Sequence, residues 1–106
     1  MDRIIVGSSP FFPPVPEGER ITAVVEGVSI DYVRRAIRGA REVVSFCGHQ
    51  ETAEFLDVRY SRDSAPREHF MPGVVWVGIR TVERLMPGEE MEVDPSEFVG
   101  WKMTFL

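Results

Sequence analysis

A chain of 106 residues, 43% hydrophobic and 27% charged, has room for one domain with one core and little else. Its net charge of −5 argues against broad binding to long DNA or RNA, while leaving open a small anionic ligand in a locally basic pocket. A single cysteine, Cys47, excludes an intramolecular disulfide and a cysteine-built zinc site, and no apolar run approaches the roughly 20 residues of a membrane span.

In chain order, Arg3–Val6 predicts a short strand. It runs into Gly7-Ser8-Ser9-Pro10-Phe11-Phe12-Pro13-Pro14-Val15-Pro16, whose four prolines forbid regular helix or a central strand. The favoured reading of Phe11 and Phe12 is a loop pinned to the core by its aromatics; the alternative is a rigid flap on which a base stacks. Ile21–Val25 alternates as a second strand. Ser29 then reads as an N-cap with Asp31 in the first turn, and Ile30, Val33, Ile37 and Ala40 form a helical apolar stripe. Arg34, Arg35, Arg38 and Arg41 occupy the other faces and read mostly as a solvated surface. Glu42–Phe46 predicts a buried strand, Gly48 breaks it, and His49 to about Leu56 reads as a short helix.

Asp57–Met71 is a polar loop with a short strand near Val58–Tyr60, and His69 in its charged stretch reads as a surface residue. Gly73–Thr81 is the strongest strand, β-branched and aromatic almost throughout. Pro87-Gly88 marks a turn, and Phe98–Phe105 is a last strand with Trp101, Met103 and Phe105 on one face and Lys102 and Thr104 on the other. The expectation is a single compact α/β (α+β) domain over 1–106, with a mixed central sheet of about five strands and two main helices. With no signal-peptide pattern, the chain is expected to be cytoplasmic.

The junction Val43 to Leu56 carries the clearest chemistry. A strand turning on glycine into a helix presents unpaired N–H groups and a positive dipole end, suited to a phosphate. His49 sits there, flanked by Ser45 and Thr52, and histidine donates or accepts a proton near neutral pH. A structural role for a lone histidine is the bland alternative. No spacing supports a metal site, and Ser8 and Ser9 lack a nucleophile-elbow pattern. Eleven of the twelve basic residues are arginine, whose planar fork suits phosphate oxygens. Arg80 and Arg84 fall at and beyond the end of the strongest strand, where ligands meet open α/β sheets.

The run Ser45-x-x-Gly48-His49-x-x-Thr52-Ala53, followed later by Arg84-Leu85-x-x-Gly88, resembles the small viral ring nucleases that act as type III anti-CRISPR proteins in archaeal viruses and phages. The order of elements agrees over nearly the whole chain. The resemblance implies a homodimer enclosing cyclic tetra-adenylate, cleaved without metal or cofactor in the cytoplasm of an infected or prophage-carrying host. A ribose 2′-hydroxyl of the substrate attacks the adjacent phosphate, leaving a 2′,3′-cyclic phosphate and freeing the 5′-oxygen. By position, His49 matches the general acid, Arg84 the arginine near the phosphate, and Arg67 a second arginine in the preceding loop. Ser8, Ser9, Phe11, Ser45, Gly48 and Thr52 are the expected ligand contacts. Ser8-Ser9-Pro10-Phe11 stands where the family usually has Asn-Ala-Phe-Ser, Pro87 where an acidic residue is common, and Val74 where an aspartate usually follows the glycine. Those departures favour the alternative of a non-catalytic protein that sequesters a cyclic nucleotide. A small interaction protein without a nucleotide ligand is the third reading.

Overall fold

A computed structural model describes residues 2–81 and 98–106. Five strands form one sheet: β1 (Arg3–Gly7), β2 (Ala23–Val28), β3 (Glu42–Phe46), β4 (Val75–Thr81) and β5 (Phe98–Phe105). Two helices, α1 (Ile30–Gly39) and α2 (Gln50–Leu56), and a single 3-10 turn (Arg67–Phe70) complete the described elements. The strand order is β2-β5-β4-β1-β3. β1 is parallel to both its neighbours, β3 and β4, whereas β5 pairs antiparallel with β4 and β2. The α+β mixed sheet expected from the sequence is the observed architecture.

Local chemistry accounts for the elements. The Ser29 hydroxyl accepts the Tyr32 N–H at 3.0 Å and so caps α1, with Asp31 in its first turn. The stripe then buries Val33 and Ile37 against Ile4 and Val6 of β1 and Val77 and Ile79 of β4. Leu56 of α2 joins the same cluster, so both helices cover one face of the sheet. Arg34 is not purely a solvated arginine: its guanidinium lies 4.3 Å from the centre of the Phe55 ring.

The opposite face is built from Ile5, Phe70, Trp76, Trp101, Met103 and Phe105. The proline-rich loop packs over it, with Phe11 edge-on to Phe70 and Trp76 and Phe12 edge-on to Phe105. The pinned-loop reading therefore describes these aromatics, although both remain substantially exposed.

Three expectations change. The second strand spans Ala23–Val28 rather than Ile21–Val25, because an edge strand tolerates Glu26 and Gly27 without burying them. β3 is not a buried strand but the other edge of the sheet, with Val43 exposed. Its apolar run faces partial cover from the following chain, where Tyr60 forms a parallel bridge with Cys47. His69 is buried, not a surface residue, at 5% exposure. The 3-10 turn directs His69 and Phe70 inward while Arg67 and Glu68 stay outside, a placement that the run of charges conceals. Its ring lies 5.3 Å from Phe46 and its carbonyl accepts the Trp76 indole N–H at 2.7 Å.

The tightest point is where β1 meets β4. Gly7 and Gly78 are register partners, and the Trp101 ring covers Gly78. A methyl group on residue 78 would stand 2.1 Å from the Gly7 carbonyl oxygen and 2.6 Å from the Trp101 ring. Neither backbone nor a buried indole yields cheaply. Gly78→Ala is therefore expected to lower unfolding free energy by at least about 2 kcal/mol in urea titration; an unchanged midpoint would contradict this packing.

Candidate functional site

The carboxyl ends of β1, β3 and β4 lie on one edge of the sheet, with β1 between the other two. Where parallel strands leave a central strand in opposite directions, the crevice beyond their ends is the usual ligand position. The register sets Gly7 beside Phe46, so the chain leaving β1 at Ser8 meets the chain leaving β3 at Cys47.

Small side chains then hold the turn. The Ser8 hydroxyl accepts the Gly48 N–H at 3.0 Å and lies 3.6 Å from the Cys47 sulfur. The buried Cys47 thiol in turn approaches the His49 carbonyl at 3.6 Å, in donor geometry. On the other side of the turn, the Ser45 hydroxyl donates to the Arg59 carbonyl and accepts the Cys47 N–H at 3.3 Å. The Cys47 carbonyl accepts the Ser61 N–H at 2.9 Å. The polar backbone groups just past β3 thus find side-chain or loop partners where the ladder has stopped.

His49 is the N-cap residue of α2, in extended backbone conformation with φ −114° and ψ 118°. Its carbonyl accepts the Ala53 N–H at 3.0 Å, but its imidazole makes no capping bond and the residue is exposed. Backbone structure fixes the residue while the ring faces solvent. The helix behind it, Gln50–Leu56, is the short one expected, and with seven residues its dipole supplies only a modest positive field.

The other expected residues divide. Ser8, Gly48 and His49 come together with Cys47. Ser9 is exposed in the same loop, and Phe11 is 42% exposed beside Trp76. Thr52 is buried in α2, and the Ser45 hydroxyl is committed to the backbone around it. Arg67 pairs with Glu19 and belongs to the 3-10 turn on the helix-free face. Arg80 is exposed at the penultimate position of β4. Arg84, Pro87 and Gly88 lie outside the described residues. Cys47 is the residue that the sequence did not point to: being the single cysteine, it bore only on disulfides and a cysteine-built zinc site, and its one local signal was its place at a strand's end before glycine.

Among the described residues, no three His, Cys, Asp or Glu side chains gather as a metal would require. No described helix is long and apolar enough to cross a membrane. One groove of about 450 Å³ runs along β3 past Ser45 and Arg59, and another of about 320 Å³ lies beside Arg20 and Arg67. Neither includes His49, which stands on open surface at the strand ends. The chain matches no protein-family model, and no curated protein sequence is significantly similar to it.

Gly48 has no positive φ, and a methyl group there would meet only the Ser61 carbonyl oxygen, at 3.7 Å. Glycine at this point keeps the surface beside His49 bare rather than relieving strain. Gly48→Ala should accordingly leave unfolding free energy within about 0.5 kcal/mol of the parent in urea titration. A larger loss would mean that the turn is more crowded than its geometry indicates.

Proposed function

We propose that the chain is a metal-independent ring nuclease that opens cyclic tetra-adenylate, acting as a homodimer that counters type III CRISPR signalling in the cytoplasm of an infected or prophage-carrying cell. The observation that supports this most is the exposed His49 imidazole, carried on a turn that Ser8 and Cys47 fasten at the carboxyl ends of parallel strands. The resemblance in the Gly48-His49-x-x-Thr52 segment and the order of elements supplies the substrate class.

The chemistry asks little of the protein. A ribose 2′-hydroxyl of the substrate gives up its proton to solvent as its oxygen attacks phosphorus in line, and the bond from phosphorus to the 5′-oxygen breaks. His49 gives its proton to that departing oxygen, leaving a 2′,3′-cyclic phosphate on one side and a 5′-hydroxyl on the other. Arg84 is assigned to the phosphoryl oxygens, where charge builds in the transition state. The remaining work is to bend the ring so that attack is in line.

Two features support a dimer. A ring with rotational symmetry matches a twofold axis that offers one His49 to each of two opposite phosphates. In addition, Phe11, Phe12, Val25 and Val99, all on the helix-free side of the sheet, are each between 42% and 51% exposed, and a second copy docked on that side would cover them.

A sequestering protein is the second reading, favoured by Ser8-Ser9-Pro10-Phe11 and Pro87 in place of the usual loop and acidic residue, and by His49 lining neither the open groove along β3 nor the one beside Arg67. Labelled cyclic tetra-adenylate incubated with the protein in EDTA separates the two. The proposal expects linear products ending in 2′,3′-cyclic phosphate, and a loss of roughly 10²–10⁴-fold in single-turnover rate for His49→Ala. Tight binding without products would support sequestration, and no binding would end both readings.

A further inference from the structure

We infer that Ser8 is a positioning residue for His49 rather than a contact to the ligand. The inference rests on the reading of His49 as the proton donor. β1 ends at Gly7 and β3 at Phe46, so the Gly48 N–H emerges where no strand remains to accept it. The Ser8 hydroxyl takes that place: it accepts the Gly48 N–H at 3.0 Å, carrying the link between β1 and β3 past the last backbone pair, by one residue on the β1 side and two on the β3 side. The same oxygen touches the Cys47 sulfur, and that sulfur lies 3.6 Å from the His49 carbonyl. A ring of contacts therefore runs from Ser8 through Gly48, His49 and Cys47 back to Ser8.

With its oxygen so engaged, the hydroxyl acts on the direction of the His49 backbone. The His49 carbonyl is also the first acceptor of α2, through the Ala53 N–H, so the turn has partners on both sides. The imidazole, which makes no capping bond of its own, takes its placement from this backbone. Removing the Ser8 hydroxyl frees the turn and spreads the imidazole over more positions, which lowers the fraction aligned with a leaving oxygen without removing a binding contact.

The test compares the parent with Ser8→Ala, Ser8→Thr and Ser8→Cys, the last keeping the volume but offering a weak acceptor. Two readouts are needed: kcat and KM on labelled cyclic tetra-adenylate, and hydrogen exchange at the Gly48 amide in the free protein. Ser8→Ala and Ser8→Cys are expected to lose roughly 10- to 100-fold in kcat with KM unchanged. Gly48 exchange should quicken about fivefold, as loss of one hydrogen bond allows, and Ser8→Thr should restore both values. A raised KM with kcat intact would overturn the inference by showing that the hydroxyl touches ligand. Unchanged Gly48 exchange, or a fall in kcat that threonine does not restore, would overturn it too. If the parent cleaves nothing, the ring-nuclease reading fails, and Gly48 exchange alone decides whether Ser8 holds the turn.

Discussion

The fold depends on the close approach of β1 and β4 at Gly7 and Gly78, under the Trp101 ring. No side chain fits on residue 78, so the two central strands and the indole lock in one arrangement. Trp101 accepts this place although, among the described residues, its Nε1 finds no hydrogen-bond partner. The ring packs in the same cluster as Ile5, Trp76 and Met103. Because Gly7 is the last residue of β1, the same contact fixes where Ser8 emerges. The scaffold and the candidate site thus meet at adjacent residues.

The two faces of the sheet do different work. α1 and α2 seal one side with an aliphatic cluster, leaving α2 just long enough to continue from His49 and bury Leu56. The other side is closed by an aromatic cluster and a loop whose phenylalanines are only half covered. Apolar side chains remain exposed on both sides: Val24 and Val43 on the helical side, and Phe11, Phe12, Val25 and Val99 on the other.

How much of this could be read in advance follows from which physical signals are local. The Ser29 cap, the Val33 and Ile37 stripe and the alternation through Trp101, Met103 and Phe105 depend on near neighbours in sequence, and each was legible. Sheet order is not local: nothing within Glu42–Phe46 says that its apolar run lies at an edge, nor that Glu26 and Gly27 extend β2 at the other. His69 was hidden among charges because a single 3-10 turn has no periodicity to detect. At the site, the Gly48-His49 junction was visible, but the bond from Ser8 spans forty positions and the role of Cys47 follows from it. The buried position of Thr52 and the pairing of Arg67 with Glu19 likewise depend on tertiary contacts.

The central claim is that the strand ends around Ser8, Gly48 and His49 receive a cyclic adenylate. It is tested most directly by amide chemical-shift mapping with cyclic tetra-adenylate lacking its 2′-hydroxyls, which removes the attacking group and leaves the ring intact. The account predicts saturable shifts centred on Ser8, Ser9, Gly48, His49 and Gln50, at one ring for two chains. Shifts confined to the groove along β3, or no shifts at millimolar ring, would contradict it.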